Sequence, residues 1–516
     1  MTFKSKVGFL SLAEELHFYI LSFLPYRNIL RCTSVCKALR QTFTSSSELQ
    51  YIVELGGQGL LPVLNTEFNK HVPISKRLQL LKDNASAWFK FNIRPVSILD
   101  HPAATPVYSP AHSWQIKRSF VDGHLCLFDE TEQWVKIFPL VPQSSPQIHQ
   151  REWSPELLGP VPDAYIDHVW IDPAQNLIAI AYHTDDHDYL NSLSWPDRPF
   201  YVDLKALDED GVHPQAAGQT LFLSLSKLHE CQVSTLKLQG HGRHIAIQCD
   251  LAGTWWSQIW DWQHSTTSNS VISYASTSTD EDFCFLGNNR FLTIRNLYLY
   301  LYSIEDMSQA PTFLAGFLMP ISAPMYIWYV GPTDDIAHGP QPQTEAHQIL
   351  WTSDPEHRIL FFVTDLHRVA FAVSTKIFFN LDPFKETLEE IPWEQWGPPN
   401  TRGFNPASSF GASGNRVFQA VPVLGATADD GSAVKKYSSH MMDFSPLAVQ
   451  RRQGQGRVVK EPSTIVVENE SITTSLPYVE VLLDGEYSAD AHNVVKIWVD
   501  GSELYVPRLA SPSAIN

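Results

Sequence analysis

The sequence predicts a mainly β fold carrying a short α-helical module at its N-terminus, and three observations predict it. Beyond about residue 110 the chain becomes a succession of short alternating or apolar runs separated by Gly, Pro, Asn and Asp, the pattern of many short strands. Residues 12 to 43, LAEELHFYILSFLPYRNILRCTSVCKALRQTF, instead space apolar side chains three and four apart, the period of a helix face. The charge divides in the same way. Residues 1 to 50 hold six basic side chains (Lys4, Lys6, Arg27, Arg31, Lys37, Arg40) against three acidic ones (Glu14, Glu15, Glu48), so the head carries +3 and the remainder −21 of a net −18.

A chain of 516 residues accommodates two or more domains, or one small module joined to a large repeat fold. Its 44% hydrophobic and 12% aromatic content suits packed sheet layers and argues against disorder. The acidic balance excludes a chain-wide basic surface, so neither nucleic acid nor a membrane is an expected partner. Six cysteines (Cys32, Cys36, Cys126, Cys231, Cys249, Cys284) with no CxxC spacing read as reduced core residues, not as a disulfide framework or zinc site, and no cofactor is expected. The run Phe18 to Leu24 is far shorter than the ~20 apolar residues of a membrane helix, and Glu14 and Glu15 spoil a secretory signal. The expected location is therefore cytosol or nucleus, and the sequons at Asn84 and Asn469 read as chance matches.

Taken in order, the head offers three short helices. Leu12, Leu16, Ile20 and Leu24 repeat every four residues, Pro25 ends that helix, Asn28 caps a second one carrying Ile29 and Leu30, and Val35, Cys36, Leu39 and Phe43 line a third. Some 35 residues bury little among themselves, because chains below about 40 residues rarely fold alone. The exposed apolar side therefore wants a partner. Another helix is predicted over 75 to 88, with Ser75 as cap and Leu78, Leu81, Ala85 and Trp88 on one stripe. The Pro-rich DHPAATPVYSP, residues 100 to 110, breaks the pattern. The expected division is 1–55, a helical module; 56–110, a helical linker; and 111–516, a β-rich domain.

Within that domain three stretches, 168–204, 236–262 and 283–305, each read strand, tight turn, strand, spacer, strand, with turns at Pro173 to Asn176, Gly240 to Arg243 and Gly287 to Arg290. Looser copies lie at 114–140, 349–380 (ending in TKIFFNL as a strand), 404–444 and 477–507. Radial repetition of small antiparallel sheets is the economical solution, giving an expected six- to seven-bladed β-propeller. Gly240-His241 and Trp260-Asp261 are similar to the two dipeptides of a WD repeat, with closer spacing than in most such repeats.

The opening residues resemble an F-box, the roughly 45-residue helical module that binds the Skp adaptor of cullin-RING ubiquitin ligases. The likeness covers about residues 9 to 55: Leu12, Glu15-Leu16, Ile20, Leu24, Asn28-Ile29-Leu30, and above all Arg31-Cys32-Thr33-Ser34-Val35-Cys36-Lys37 with Arg40. Ala13 stands where the family usually has proline and Leu39 where it often has tryptophan, which lowers the expected affinity. With the repeats behind it, the chain resembles a fungal-type F-box protein with a divergent WD-like propeller. The resemblance implies a non-catalytic substrate-recognition subunit of a Skp-cullin-F-box ligase, its adaptor surface formed by Leu12, Leu16, Ile20, Leu24, Ile29, Leu30, Val35, Cys36 and Leu39, some of which instead close the head's own core. A target protein would bind the propeller. A scaffold without degradation and a propeller enzyme are the alternatives.

Catalytic and metal patterns are sparse. HTDDHD (183–188) offers a His pair at i, i+4 with carboxylates, but it falls in a spacer and reads as a solvated acidic loop. Gly411-Ala412-Ser413-Gly414 is not a nucleophile elbow, and no phosphate-binding glycine loop follows a strand. QRRQGQGRVVK (450–460) reads as a solvated basic loop.

Overall fold

The computed structural model describes residues 8–63, 72–87, 93–97, 116–121, 124–139, 151–159, 164–184, 200–224, 233–251, 253–275, 282–295, 297–321, 351–363, 369–404, 409–423, 435–451, 456–467, 470–489, 498–500 and 503–508. Cys231, Trp88, Asn469, the 100–110 boundary and Asp185 to Asp188 lie outside them.

The head folds as four helices: α1 (Glu14–Ser22), α2 (Tyr26–Val35), α3 (Lys37–Ser45) and α4 (Ser47–Gln58). Pro25, with φ −54°, precedes the first residue of α2, and its carbonyl accepts from Asn28 N (2.8 Å) and Ile29 N (3.1 Å). Proline suits that place because its missing N–H would have no helical partner there. Asn28, expected as the cap, therefore lies inside α2. Cys36 is extended (φ −152°) and turns the corner into α3, so Val35 ends α2 and does not belong to the third helix. Ser46 caps α4 by accepting from Leu49 N at 3.2 Å. Leu21, Ile29, Leu39, Leu49 and Val53 form the buried centre of the head.

α4 has a second role. Its other face, Tyr51 and Leu55, packs on Leu78 and Leu81 of α5 (Ile74–Ala87), together with Leu60, Ile74 and Trp351. The helix ends at Gly59, whose φ of +68° is the left-handed conformation that favours glycine. Behind it, β1 (Leu60–Pro62) pairs antiparallel with β19 (Trp351–Ser353). Gly59 O accepts from Asp354 N (2.8 Å) and Gln58 O from Asn415 Nδ2 (3.2 Å). The 56–110 segment is thus more than a helical linker, since it also supplies β1 and β2 (Ile93–Ser97).

The body is a series of antiparallel sheets in chain order. The first is β3 (Ile116–Val121), β4 (His124–Asp129), β5 (Trp134–Pro139) and β6 (Arg151–Trp153), followed by α6 (Pro155–Leu158). The second is β7 (Ala164–Asp172), β8 (Leu177–Thr184), β9 (Phe200–Ala206) and β10 (Thr220–Phe222). The third is β11 (Val233–His241), β12 (His244–Leu251), β13 (Thr254–Asp261) and β14 (Val271–Ala275). The fourth is β15 (Asp282–Gly287), β16 (Arg290–Arg295), β17 (Tyr298–Ser303) and β18 (Thr312–Leu318). Each is a simple meander, and each adds a fourth strand to the three read from the repeats.

The later sheets are less regular. β20 (Ile359–Val363), β21 (Ala370–Ser374) and β22 (Thr401–Phe404) form a three-stranded sheet, beside the hairpin β27 (Ser463–Val467) and β28 (Glu470–Thr474). β23 (Ser409–Ser413), β24 (Arg416–Val423), β25 (Lys435–Asp443), β29 (Tyr478–Ala489) and β26 (Arg457–Val459) form a five-stranded one. In the last sheet β30 (Trp498–Asp500) pairs with β31 (Glu503–Arg508), and β2 joins β31 in parallel.

Both faces of the central strands are covered, which explains why they read as apolar runs and not as alternation. In β8, Ile178, Ile180 and Tyr182 pack toward Cys126, Phe128 and Val135 of the first sheet, while Leu177, Ala179 and Ala181 pack toward Leu238, Ile245 and Ile247 of the third. The same alternation recurs in β12, where Ala246 meets Phe283 and Phe291, and in β21, where Phe371 and Ala372 enter different clusters. Each of these sheets is therefore sandwiched between its predecessor and its successor.

The turns between first and second strands also line up. Gln175 Nε2 donates to Gly242 O (2.8 Å), Gly242 sits against Asn288, Gly287 against Pro355, and Gly59 at the end of α4 against His357 and Asn415. The three turns read from the sequence are neighbours in one row, and the head is seated at the far end of that row.

Several expectations are corrected. TKIFFNL is not a strand: Lys376–Phe379 forms the short helix α7, burying Ile377 and Phe378 in the cluster around Phe317, and β21 supplies the strand. A short apolar run does not distinguish the two by periodicity alone. Trp393–Asn400 is a further helix, α8, whose Trp396 donates to Leu318 O (3.0 Å). The ends of QRRQGQGRVVK belong to α9 (Pro446–Arg451) and β26, with 452–455 outside the described residues. The three described buried cysteines, Cys126, Cys249 and Cys284, are free thiols in the core, as are the half-buried Cys32 and Cys36 of the head.

Candidate functional site

The head presents two distinct sets of apolar side chains. α1 turns Leu21 and the half-buried Phe18 into the core, and His17 with them. Outward it shows Leu16, Tyr19, Ile20 and Phe23, exposed by 48%, 60%, 39% and 70%. Their spacing, i, i+3, i+4 and i+7, is a continuous helical stripe facing away from the head's core. Tyr19 and Phe23 pack edge to face at 4.8 Å, so the stripe is partly ordered.

The stripe is extended by the turn before α1. Phe9 and Leu10 are exposed, and His17 holds that turn down: its Nε2 lies 2.8 Å from Phe9 O and its ring 4.9 Å from the Phe9 ring. His17 was not singled out from sequence. The signal was present, because positions 17, 18 and 21 repeat at helical spacing as well as 16, 20 and 24 do, and only packing decides which stripe turns inward.

The nine residues expected at the adaptor surface divide accordingly. Leu16, Ile20 and Val35 are exposed; Leu12, Leu24, Leu30 and Cys36 are half-buried; Ile29 and Leu39 close the core. Leu39, at the position where F-box sequences often have the larger tryptophan, is buried at the centre of the head.

The Arg31 to Arg40 run builds the corner between α2 and α3. Thr33 Oγ1 donates to Leu30 O (2.8 Å), Ser34 Oγ to Arg31 O (2.6 Å), and Arg40 Nε back to Thr33 O (3.2 Å). Arg27, Arg31, Lys37 and Arg40 are all exposed, so the cationic side chains of the head remain at its surface beside Val35.

Two histidines of the body, His183 and His244, sit within its strands. His183 lies in β8, buried, with Nδ1 2.8 Å from Asp167 Oδ2, and so belongs to a strand and not a solvated spacer. Among the described residues no group of three or more His, Cys, Asp or Glu is placed to hold a metal ion, and no helix is long and apolar enough to cross a membrane. In the Gly-His and Trp-Asp unit, a Cβ on Gly240 would meet the Trp170 ring at 2.1 Å, so the glycine admits the second sheet. Trp260 is fully buried opposite Ile245, and Asp261 holds Arg243 (3.3 Å) and His264 (2.8 Å). His244, facing Asp261 across the strands, is fully buried; burial first, then Arg243, pulls its pKa down to about 4.

Residues 9–51 match the F-box domain family. F-box domains bind Skp-family adaptors of cullin-RING ligases and are typically non-catalytic subunits. No curated protein matches the chain. Among solved structures, the fission yeast SREBP-SCAP binding domains share 10% identity over 83% of this chain and 96% of that one, with a TM-score of 0.32. Hsv2p of Kluyveromyces lactis shares 9% over 72% and 98% (TM-score 0.26), and prolyl oligopeptidase B of Galerina marginata 9% over 66% and 58% (TM-score 0.22). Scores of this size carry no argument about fold or chemistry.

Proposed function

We propose that the chain is the substrate-recognition subunit of a Skp-cullin-F-box ubiquitin ligase, holding the adaptor through its head and a target protein through a propeller of seven sheets. The observation that carries this reading is the outward stripe Leu16, Tyr19, Ile20 and Phe23, extended by Phe9 and Leu10, within the matched F-box. Large exposed apolar side chains concentrated on one helix are a docking surface in want of a partner. The exposed Arg27, Arg31, Lys37 and Arg40 suit an acidic adaptor, as the family resemblance implies.

Support for the propeller comes from the face-to-face succession of sheets and the single row of first turns, with β2 completing the last sheet beside β31. The chain itself would act without catalysis, in cytosol or nucleus. The test is co-purification with a Skp-family adaptor, comparing the intact chain with Phe23→Asp and Tyr19→Asp variants. Retention of the intact chain and loss in both variants supports the proposal; no retention of the intact chain removes it.

A further inference from the structure

Arg295 is held in an unusual setting. It is the last residue of β16, and its guanidinium lies 4.3 Å from the centre of the Tyr274 ring of β14 and 5.5 Å from that of Tyr300 of β17. Tyr274 is itself backed by the buried Trp255, stacked at 5.0 Å and 14°, and Tyr300 by Tyr298 at 5.3 Å and 19°. Four rings from two neighbouring sheets, stacked in two pairs, thus meet at one cation.

The ring contacts themselves satisfy none of its N–H donors. Among the described residues Arg295 donates no hydrogen bond and joins no ion pair, although the side chain is only partly exposed. A carboxylate, Glu390, lies near these rings without pairing with Arg295: burial first, and then Glu390, raises the Tyr298 phenol, and on Tyr300 burial raises the phenol while Arg295 lowers it and Glu390 raises it. An arginine has five N–H donors in a planar fork that matches an oxyanion with two oxygens. Holding that fork between rings removes the rotamer freedom that binding would otherwise have to remove.

Its location is equally specific. β16 begins at Arg290, in the row of turns that leads to the head, and ends at Arg295; at ~3.3 Å per residue the two ends lie about 17 Å apart. Tyr274 pairs with Trp255 at the same far end of the third sheet, away from Gly240 to Arg243. Among the described residues, the end of the sheets that carries Arg295 is opposite the end occupied by the head.

We propose that Arg295, clamped between Tyr274 and Tyr300, is a recognition point for an anionic side chain in a target segment, its guanidinium edge taking two oxygens of a carboxylate or phosphate while the rings contact the flanking peptide. The proposal rests on the substrate-receptor reading, but its test is independent of the adaptor. The full chain, without adaptor, is presented with three pools of nine-residue peptides, randomised except for a central Glu, Gln or phosphoserine, and capture is quantified by mass spectrometry. Capture of the Glu or phosphoserine pool at least tenfold above the Gln pool is expected, and which of the two is favoured identifies the source of the oxyanion. Arg295→Gln should abolish the preference, while Arg295→Lys, which keeps the charge but loses the fork, should retain only part of it. Thermal unfolding of each variant is followed in parallel. Equal capture of the Glu, Gln and phosphoserine pools by the intact chain overturns the proposal, as does an unchanged preference in Arg295→Gln. A purely structural staple would instead lower the unfolding temperature of Arg295→Gln and leave the pools indistinguishable from the start.

Discussion

Replacing Gly57 by alanine should loosen the head from the body, against the sign that helix propensity alone would give. In a free helix interior the change stabilises by about 1 kcal/mol, because alanine loses less backbone freedom on ordering. In this structure an alanine Cβ at position 57 would stand 1.8 Å from Leu447 Cδ1, 2.0 Å from its Cγ and 3.1 Å from its Cβ. Rotating the Leu447 side chain relieves the first two contacts and leaves the third, so α4 and α9 must separate. Overpacking of this kind costs about 1 to 3 kcal/mol, which leaves a net loss of up to about 2 kcal/mol after the propensity gain. Leu447→Ala alone should cost more, about 2 to 4 kcal/mol, since that side chain is 95% buried. The double variant should be better than the sum of the singles by about 1 to 2 kcal/mol, because alanine at 447 makes room for alanine at 57. The assay is urea unfolding read by hydrogen exchange of α4 amides, which follows this local unit in a chain too large for one two-state transition. Higher protection of α4 in Gly57→Ala, with additive effects in the double variant, would refute the account of a head seated tightly on the body.

Three further outcomes follow from the same packing. Ile29→Ala and Leu39→Ala should each destabilise the head by about 2 to 4 kcal/mol, whereas Val35→Asp should leave its stability within about 0.5 kcal/mol and weaken adaptor retention; circular dichroism and co-purification separate the two classes. His17→Ala should release the turn at Phe9 and weaken adaptor retention severalfold, visible as faster proteolysis before Glu14. For His244 the folded pKa of about 4 lies below the usual value near 6.5, so the unfolded chain binds the extra proton between those limits. Its neutral form therefore supports folding fully above about pH 6.5, and that support falls as pH drops toward 4; His244→Leu should flatten this part of a urea-midpoint profile, and an unchanged slope would exclude the histidine as its source.

Much of this architecture could be read from residues whose local chemistry permits one solution. Asn176 and Gly242 both adopt positive φ, and it was Asn and Gly in those places that marked the turns. The inward apolar face of α5 was legible because Leu78 and Leu81 repeat at helical spacing and both are buried. What escaped was decided at long range. TSSSELQYIVELGGQ carries two apolar faces because α4 serves the head with Leu49 and Val53 and the body with Tyr51 and Leu55, a division visible only once both partners are in place. WEQWGPPN forms α8 despite Pro398 and Pro399, since both fall in its last turn and Trp393 and Trp396 bury themselves ahead of them. STIVVENESITT alternates as a hairpin should, but it belongs to no repeat, so its place beside β22 is set only by packing. The role of Arg295 depends on tyrosines from two sheets, a juxtaposition no local pattern encodes.

The pairing of β1 with β19 has a consequence for how the chain is made. The four head helices depend on contacts within about 50 residues and can form as soon as those residues are made. Their seat is not, because the partner of Leu60 to Pro62 lies about 290 residues downstream, a delay of ~15 to 60 s at ~5 to 20 residues per second. During that interval the nascent chain carries a folded F-box head with the Tyr51 and Leu55 side of α4 still lacking Trp351. An adaptor present at the ribosome would meet the head before the sheet that seats it is complete.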